Sequence, residues 1–117
     1  MITTPTPVTR VDQYLDEICK GSTSNLPEYP VTSKERCLEA LAKNDETLLP
    51  EYAVTNEEKY LMAIVKNSTD DLPDHPVTHE EQYLYAIAAG DTSKLPDHPV
   101  TNEAFYLAYM VENHIPR

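Results

Sequence analysis

The residue types best suited to chemistry in this chain are two histidines that each follow a carboxylate. Asp74-His75 and Asp97-His98 occupy equivalent positions of two successive segments, and such pairs can bind a metal ion or move a proton. The same positions of two earlier segments hold Glu28-Tyr29 and Glu51-Tyr52. Because tyrosine takes the place of histidine there, we expect these residues to pack or to lie on the surface, and we predict no metal site.

Candidates for nucleophilic catalysis are equally few. The serines and threonines stand at predicted helix starts and in connectors, where hydrogen bonding to the backbone explains them. Cys19 and Cys37 fall at apolar helix positions, which favours buried free thiols over a disulfide framework. His79 follows a predicted N-cap and His114 follows the last helix, and neither stands beside a nucleophile. We therefore predict no catalytic residue, no cofactor and no enzymatic activity.

The chain is built from a repeat that positions all of these residues. The dipeptide Val-Thr recurs at a constant spacing, with no insertion or deletion between copies. Its five copies begin at Val8, Val31, Val54, Val77 and Val100. Repeat units starting near 7, 30, 53, 76 and 99 account for nearly the whole sequence, so we predict one helical repeat domain over residues 1–117.

Each unit carries the signals of one short amphipathic helix. The Thr is a predicted N-cap, and the acidic residue three positions later predicts a capping box. These acidic residues are Asp12, Glu35, Glu58 and Glu81, whereas the fifth unit has Ala104. A Tyr-Leu pair, with Cys-Leu in unit two, begins an apolar stripe. Gly or Asn at positions 21, 44, 67, 90 and 113 predicts left-handed C-caps, which gives helices of about eleven residues.

The connectors predict how successive helices pack. Each of the first four contains a Leu-Pro pair, which favours extended, polyproline-like backbone and lets the chain return along its own helix. We expect the repeated Leu to fold under the neighbouring helix with the Val before the N-cap beside it. The predicted class is all-α, as a solenoid-like stack about 40 Å long, and a compact five-helix bundle remains the alternative.

Charge limits the partners. The chain has nine Lys+Arg, 20 Asp+Glu and a net charge of −11, so we expect neither nucleic acid nor a membrane as a direct partner. The N-terminal residues lack a signal-peptide apolar region, which predicts synthesis without export. Regularly spaced carboxylates at Glu28, Glu51, Asp74 and Asp97 also allow a rod that imitates a nucleic-acid backbone, although helix-dipole partners and a solvated face explain most of them.

One repeat position changes from acidic to apolar along the chain. The residue after the repeated Leu is Asp16, Glu39, Met62, Tyr85 or Ala108 in successive units. Phe105 and Tyr109 add further apolar side chains in the last helix. Apolar residues outside the core stripe favour a protein interface at Met62, Tyr85, Phe105 and Tyr109. The alternative is that the C-terminal units simply pack differently.

Units of the form P-V-T-x-x-E-x-Y-L-x-x-I-A, joined by L-P-x-x, resemble tandem repeats of minor structural proteins in tailed phages and prophages of Gram-positive bacteria. Pro76–Ala88 reads PVTHEEQYLYAIA and carries the motif. The resemblance implies a head-fibre-like accessory protein of the virion, made in the host cytoplasm. Its implied partners are capsid, neck or tail proteins, with a homo-oligomer possible. The chain departs from that pattern because it has no appended fibre and only two glycines, which disfavours host adhesion.

Two other functions are compatible with the residues. The chain could be a free adaptor that binds one protein partner, or an acidic inhibitor that imitates DNA. A specific partner outside the virion would distinguish the adaptor, and strongly salt-dependent binding to a DNA-handling protein would distinguish the mimic.

Overall fold

Five α-helices of eleven residues each succeed one another along the chain. The computed structural model describes residues 6–24, 26–68, 72–73, 75–90, 92–96 and 98–113, and of Lys94 only the backbone. The helices are α1 (Arg10–Lys20), α2 (Ser33–Lys43), α3 (Asn56–Lys66), α4 (His79–Ala89) and α5 (Asn102–Glu112). No strand occurs in these ranges. The prediction of an all-α fold with five helices is confirmed.

The helix starts are set by the repeated threonines. In every unit the Thr backbone is extended and its hydroxyl accepts the backbone N–H three residues later, as in Thr55, which accepts from Glu58 at 3.2 Å. One otherwise unpaired N–H of the first turn is thereby satisfied. The predicted N-caps are therefore confirmed in all five helices.

The acidic residue of the predicted capping box behaves differently from expectation in three units. In α1, Asp12 accepts from the Thr9 N–H at 3.4 Å, which completes the box, and also from the Val8 N–H at 3.0 Å. In α2, α3 and α4 the glutamate accepts instead from the N–H of the Val before the cap, as Glu58 does from Val54 at 3.0 Å. The acidic side chain of all four units thus accepts from the N–H of the Val before the cap, and in α1 it completes the box as well. These carboxylates are buried, 5–6 % exposed.

The helix ends follow the predicted left-handed caps in four units out of five. Gly21, Asn44, Asn67 and Gly90 have φ between 54° and 73°, the region that Gly and Asn tolerate best. The prediction is wrong for Asn113, whose φ is −102°. The Tyr109 carbonyl accepts from both the backbone N–H of Asn113, at 3.0 Å, and its side-chain amide, at 2.9 Å, so α5 ends without a left-handed residue.

The helices close into a ring. Each helix packs against its sequence neighbours, and α5 packs against α1. The described residues span 35 × 31 × 22 Å, which is a thick disc rather than a rod of stacked units. The compact five-helix bundle therefore fits, and the solenoid-like stack is not confirmed. At ordinary interhelical spacing, a pentagon of helix axes is about 15 Å across.

All five helices begin at the same end of this ring. Contacts between first-turn residues or N-caps join neighbouring helices there: Arg10 with Glu35, Lys34 with Glu57, and Thr101 with Glu80. Lys34 also reaches Glu103 of α5, which is not its neighbour in the ring. We call this end the N-terminal face. The five helices are therefore parallel. Each connector carries the chain from the end of one helix back to the N-terminal face, where the next helix begins.

The core lies inside the ring and is made by the repeated apolar stripe. One leucine from each helix is 1–2 % exposed: Leu15, Leu38, Leu61, Leu84 and Leu107. The connector leucines Leu26, Leu49, Leu72 and Leu95 are half-buried and pack against this core, as predicted. The expectation for the valines is wrong, since the Val before each N-cap is 62–74 % exposed. The tight entry into the helix directs its side chain outward.

The connectors contain two short turns that the sequence pattern does not predict. A 3₁₀ turn covers Glu46–Leu48 and another covers Thr92–Lys94. In the first, Asp45 accepts from the Thr47 N–H at 3.0 Å and from its hydroxyl at 2.6 Å. Leu49 then adopts φ −65° and ψ 147°, the extended geometry that the following proline favours. No described helix is long and apolar enough to cross a membrane.

Candidate interaction face

The centre of the N-terminal face holds a small cluster of half-buried, mostly charged side chains, which we call the mouth. It is formed by the second residue of each helix: Val11, Lys34, Glu57, Glu80 and Glu103. These positions precede the core leucines by four residues, so they lie one turn above the leucine ring. Lys34 Nζ lies 2.7 Å from Glu57 Oε1 and 2.9 Å from Glu103 Oε2, and it thereby ties α2 to α3 and to α5.

The charged side chains of the mouth are half-buried, and burial together with neighbouring charges shifts the pKa values of Lys34 and Glu103. Burial raises the pKa of Glu103; Lys34 opposes that effect, whereas Glu57 and Glu80 add to it. Burial alone would lower the pKa of Lys34, but attraction and hydrogen bonds from Glu103 and Glu57 outweigh it, so that pKa lies above its usual value. The mouth therefore holds one firmly protonated lysine and an excess of carboxylates at neutral pH.

A rim of exposed apolar side chains surrounds the mouth. It consists of Val8, Val31, Val54, Val77 and Val100, one before each N-cap. Tyr29 and Tyr52 precede two of them by two residues and are 64 % and 70 % exposed. We call the five valines the valine rim. The five valines lie on one face of the ring, and exposed apolar residues gathered on one face mark candidate interaction sites, so the rim is the strongest candidate for a contact surface.

The four interface residues predicted from the sequence lie on α3, α4 and α5. Phe105 is 38 % exposed, and Met62, Tyr85 and Tyr109 are half-buried. Tyr85 stacks edge-to-face on Tyr60 of α3, with ring centroids 6.4 Å apart. Thus Tyr85 contributes to packing between two helices, whereas Phe105 is the most accessible of the four.

The contacts of Tyr85 explain why this repeat position changes character. The residue after the repeated Leu faces the tyrosine position of the preceding helix around the ring. Tyr85 faces Tyr60, and Asp16 hydrogen-bonds Tyr106 across the α5–α1 contact. A carboxylate can accept a hydrogen bond from the tyrosine hydroxyl, and a second aromatic side chain can pack edge-to-face against the tyrosine ring. Ala108 is 5 % exposed and, by the same register, faces Tyr83. Packing between helices therefore accounts for part of the change.

Met62 lies in a groove on the outer side of α3. The groove has a volume of about 720 Å³ and runs between α3 and the connectors on either side of it. Lys59 and Lys66 flank Met62 along the helix. In α1 and α2 the lysine at the position of Lys66 pairs with an acid four residues earlier, as Lys43 does with Glu39 at 3.1 Å. In α3, Met62 occupies the position of that acid, so this groove lacks the lysine–carboxylate pair found at the equivalent positions of α1 and α2.

The residues considered for catalysis are buried or dispersed. Burial raises the pKa of both Cys19 and Cys37 to about 12, so both thiols are protonated at neutral pH. His79 packs edge-on against Tyr83. His75 and His98 are exposed, while Asp74, Asp97 and His114 lie outside the described residues. Within the part of the chain that the structure describes, no group of three or more His, Cys, Asp or Glu is arranged to hold a metal ion.

Sequence reasoning missed both the mouth and the valine rim. The mouth could have been found from spacing, because residues four positions before the core leucines share their helix face. The rim gave a different signal, an aliphatic residue at every N′ position, which is the position before the N-cap. Only Val100 has an apolar residue at the fourth position of its helix, Phe105. A hydrophobic staple needs that partner, so the other four valines have nothing local to pack against.

Comparison with known proteins identifies no relative of this chain. No family model matches it, and neither a curated protein nor a solved structure matches it.

Proposed function

We propose that the chain is a non-enzymatic accessory protein of a phage virion, a helical module for attachment or assembly on the capsid, neck or tail. The observation that best supports a binding role is the valine rim, which exposes five aliphatic side chains on one face of a closed ring. Free aliphatic surface in this quantity favours burial against another protein. The resemblance of the repeat units to phage structural proteins supports the virion as the site of that contact.

The ring also supports an attachment role over a catalytic one. The N-caps, the leucine ring and the mouth use the repeated polar and apolar residues for structure. The two thiols have pKa values of about 12, far above the range of a reactive cysteine. A rigid body with an exposed apolar face suits a spacer or anchor.

Purified phage particles test this proposal. Mass spectrometry and immuno-electron microscopy of particles should detect the protein at a fixed ratio to the major capsid protein. Its absence from particles, with the protein present in the lysate, would contradict a virion role and favour the adaptor.

Light scattering coupled to size-exclusion chromatography then distinguishes two modes of attachment. A discrete oligomer would indicate that one of the apolar surfaces joins copies of this chain, as in symmetric virion attachments. A monomer would leave those surfaces for a different virion protein.

The acidic-mimic hypothesis loses its geometric support in a closed ring. It requires a straight ladder of charges, whereas equivalent positions of successive units lie around a circle in a body 35 Å across. Glu28 and Glu51 are exposed, but ring closure prevents them from continuing a linear row.

A further inference from the structure

We propose that the N-terminal face binds a cationic, apolar segment of a partner protein, with aliphatic side chains on the valine rim and a lysine or arginine at the mouth. The inference deepens the proposed binding role, but it does not depend on the virion as its location.

The valine rim supplies the apolar half of the argument. Its side chains are 62–74 % exposed, yet they contribute nothing visible to helix capping. The capping glutamates accept from the backbone N–H of the valines at 2.9–3.0 Å, which any residue except proline would provide. Capping by these glutamates therefore uses an N–H and not an aliphatic side chain, and a contact surface accounts for the valine.

The negative charge of the N-terminal face favours a cationic partner. Positions N1 to N3 of the five helices carry seven carboxylates, three at the mouth and four in the caps, and the only cations at these positions are Arg10 and Lys34. The five helix N-termini add roughly half a positive charge each, which the four capping carboxylates more than offset. Glu57, Glu80 and Glu103 therefore leave the mouth acidic even with Lys34 among them.

This charge argues against a second copy of the chain as the occupant. Two N-terminal faces in contact would bring two acidic mouths together while burying them, which increases the repulsion. A segment with lysine or arginine would instead offer a cation to the carboxylates around Lys34, and its aliphatic residues would cover the valines. Complementarity of this kind sets orientation and partner choice.

Synthetic peptides and the purified chain test the proposal. The probe is a peptide of equal lysine and leucine content, about 12 residues long, which spans about 40 Å when extended and so crosses the face. A lysine–serine peptide has the same charge without apolar side chains, and a glutamate–leucine peptide has the opposite charge. Fluorescence anisotropy should show binding of the lysine–leucine peptide that weakens with salt. We expect the lysine–serine peptide to bind at least about tenfold more weakly and the acidic peptide not to bind.

Variants locate the binding surface. The triple substitution Val31→Ser, Val54→Ser and Val77→Ser keeps every backbone N–H used by the caps, and it should weaken lysine–leucine binding about tenfold. Glu80→Gln should weaken it about two- to fivefold. Tyr109→Ser removes an apolar side chain from the C-terminal half of α5, away from this face, and is the matched control, with affinity unchanged. Circular dichroism should show native helix content in all three.

Several results would overturn the proposal: no binding of the lysine–leucine peptide, equal binding of the lysine–serine peptide, or unchanged affinity in the triple valine variant. A dimer that dissociates on the triple substitution would also overturn it, because the occupant would then be a second copy. Since only the purified chain is used, absence of the protein from virions would leave these results intact.

Discussion

At the scale of single residues, two kinds of side chain fix the local structure. The threonine caps define where each helix begins, and a tyrosine or cysteine beside each core leucine fills the contact between neighbouring helices. Tyr14, Tyr60 and Tyr106 are fully buried and Tyr83 is 3 % exposed. Their burial makes the chain sensitive to alkali, and the caps make it sensitive to loss of one hydroxyl.

Replacement of one cap tests the contribution of the repeated threonine. Thr55→Ala removes the hydroxyl that accepts from the Glu58 N–H, and we expect it to lower the free energy of unfolding by about 1 kcal/mol. Thr23→Ala, in an exposed connector position, is the matched control with an expected change below about 0.5 kcal/mol. Urea unfolding followed by circular dichroism measures both, and equal effects would contradict the capping role.

Alkaline titration tests the buried tyrosines. Burial raises the pKa of Tyr14, Tyr60, Tyr83 and Tyr106 above the usual value. Above about pH 10 the unfolded chain loses these protons while the folded chain keeps them, so stability falls as pH rises. We expect tyrosinate absorbance to rise in one cooperative step together with loss of helical circular dichroism. A gradual rise in absorbance while the helices persist would show that the rings ionise in the native state.

At the scale of elements, the mouth joins helices that the chain order separates. Lys34 is the only described residue whose ion pairs reach two other helices. It therefore stabilises the closed arrangement and not merely one pair of neighbours. Half-buried carboxylates without a cation are costly, because the loss of one partner leaves the other charge desolvated.

Substitution of Lys34 tests this bracing contact. Lys34→Met should lower the free energy of unfolding at neutral pH by about 1–3 kcal/mol, since Glu57 and Glu103 lose their cation. Lys43→Met, which removes an exposed pair within α2, should change it by less than about 0.5 kcal/mol. Adding Glu103→Gln to Lys34→Met should restore part of the loss.

The pH dependence of the Lys34 variant follows from the same charges. Burial raises the pKa of Glu103, so this carboxyl takes up a proton before an ordinary glutamate as pH falls. The deficit of Lys34→Met relative to the unaltered chain should therefore shrink toward acidic pH. A deficit that stayed constant over that range would show that lost packing of the lysine stem, and not unpaired charge, is the cause.

At the scale of the whole molecule, closure removes the ends that an open array would have. Every helix has two helical neighbours, because α5 packs on α1. The α5–α1 contact includes the hydrogen bond between Tyr106 and Asp16 and a contact from Cys19 Sγ to the Tyr106 carbonyl at 3.6 Å. In an open stack the first and last helices would each lack a partner and would fray first.

Hydrogen exchange tests closure. In a ring, backbone amides beside Leu15 in α1 and Leu107 in α5 should be protected as strongly as those beside Leu61 in α3. Mass spectrometry of peptic fragments measures the three helices in one experiment. Exchange of α1 and α5 far ahead of α3 would indicate an open array. Small-angle scattering provides an independent check, since the described Cα atoms have a radius of gyration of 12.8 Å and an open rod of stacked helices would be more extended.

The sequence alone determined the elements, because their signals act within one unit. Threonine caps, the apolar stripe and the Gly or Asn ends predicted all five helices and their length, and the connector leucines were correctly placed against the core. Asn113 shows the limit of such signals, since it ends α5 without the left-handed conformation that Asn44 and Asn67 adopt. Glu35, Glu58 and Glu81 show it too, because they accept from the N–H of the Val before the cap and not from the N-cap N–H that the motif predicts.

Only the tertiary structure decided that the units close into a ring and what that closure exposes. A repeat of fixed length forms an open solenoid or a closed ring according to the rotation between neighbours, about 72° per unit for five. Contacts between neighbouring helices, such as Tyr60–Tyr85 and Asp16–Tyr106, join residues of different units at positions that vary along the chain. Spacing within one unit indicates which residues share a face with the core leucine, but only closure brings five helix N-termini together into the mouth and the valine rim.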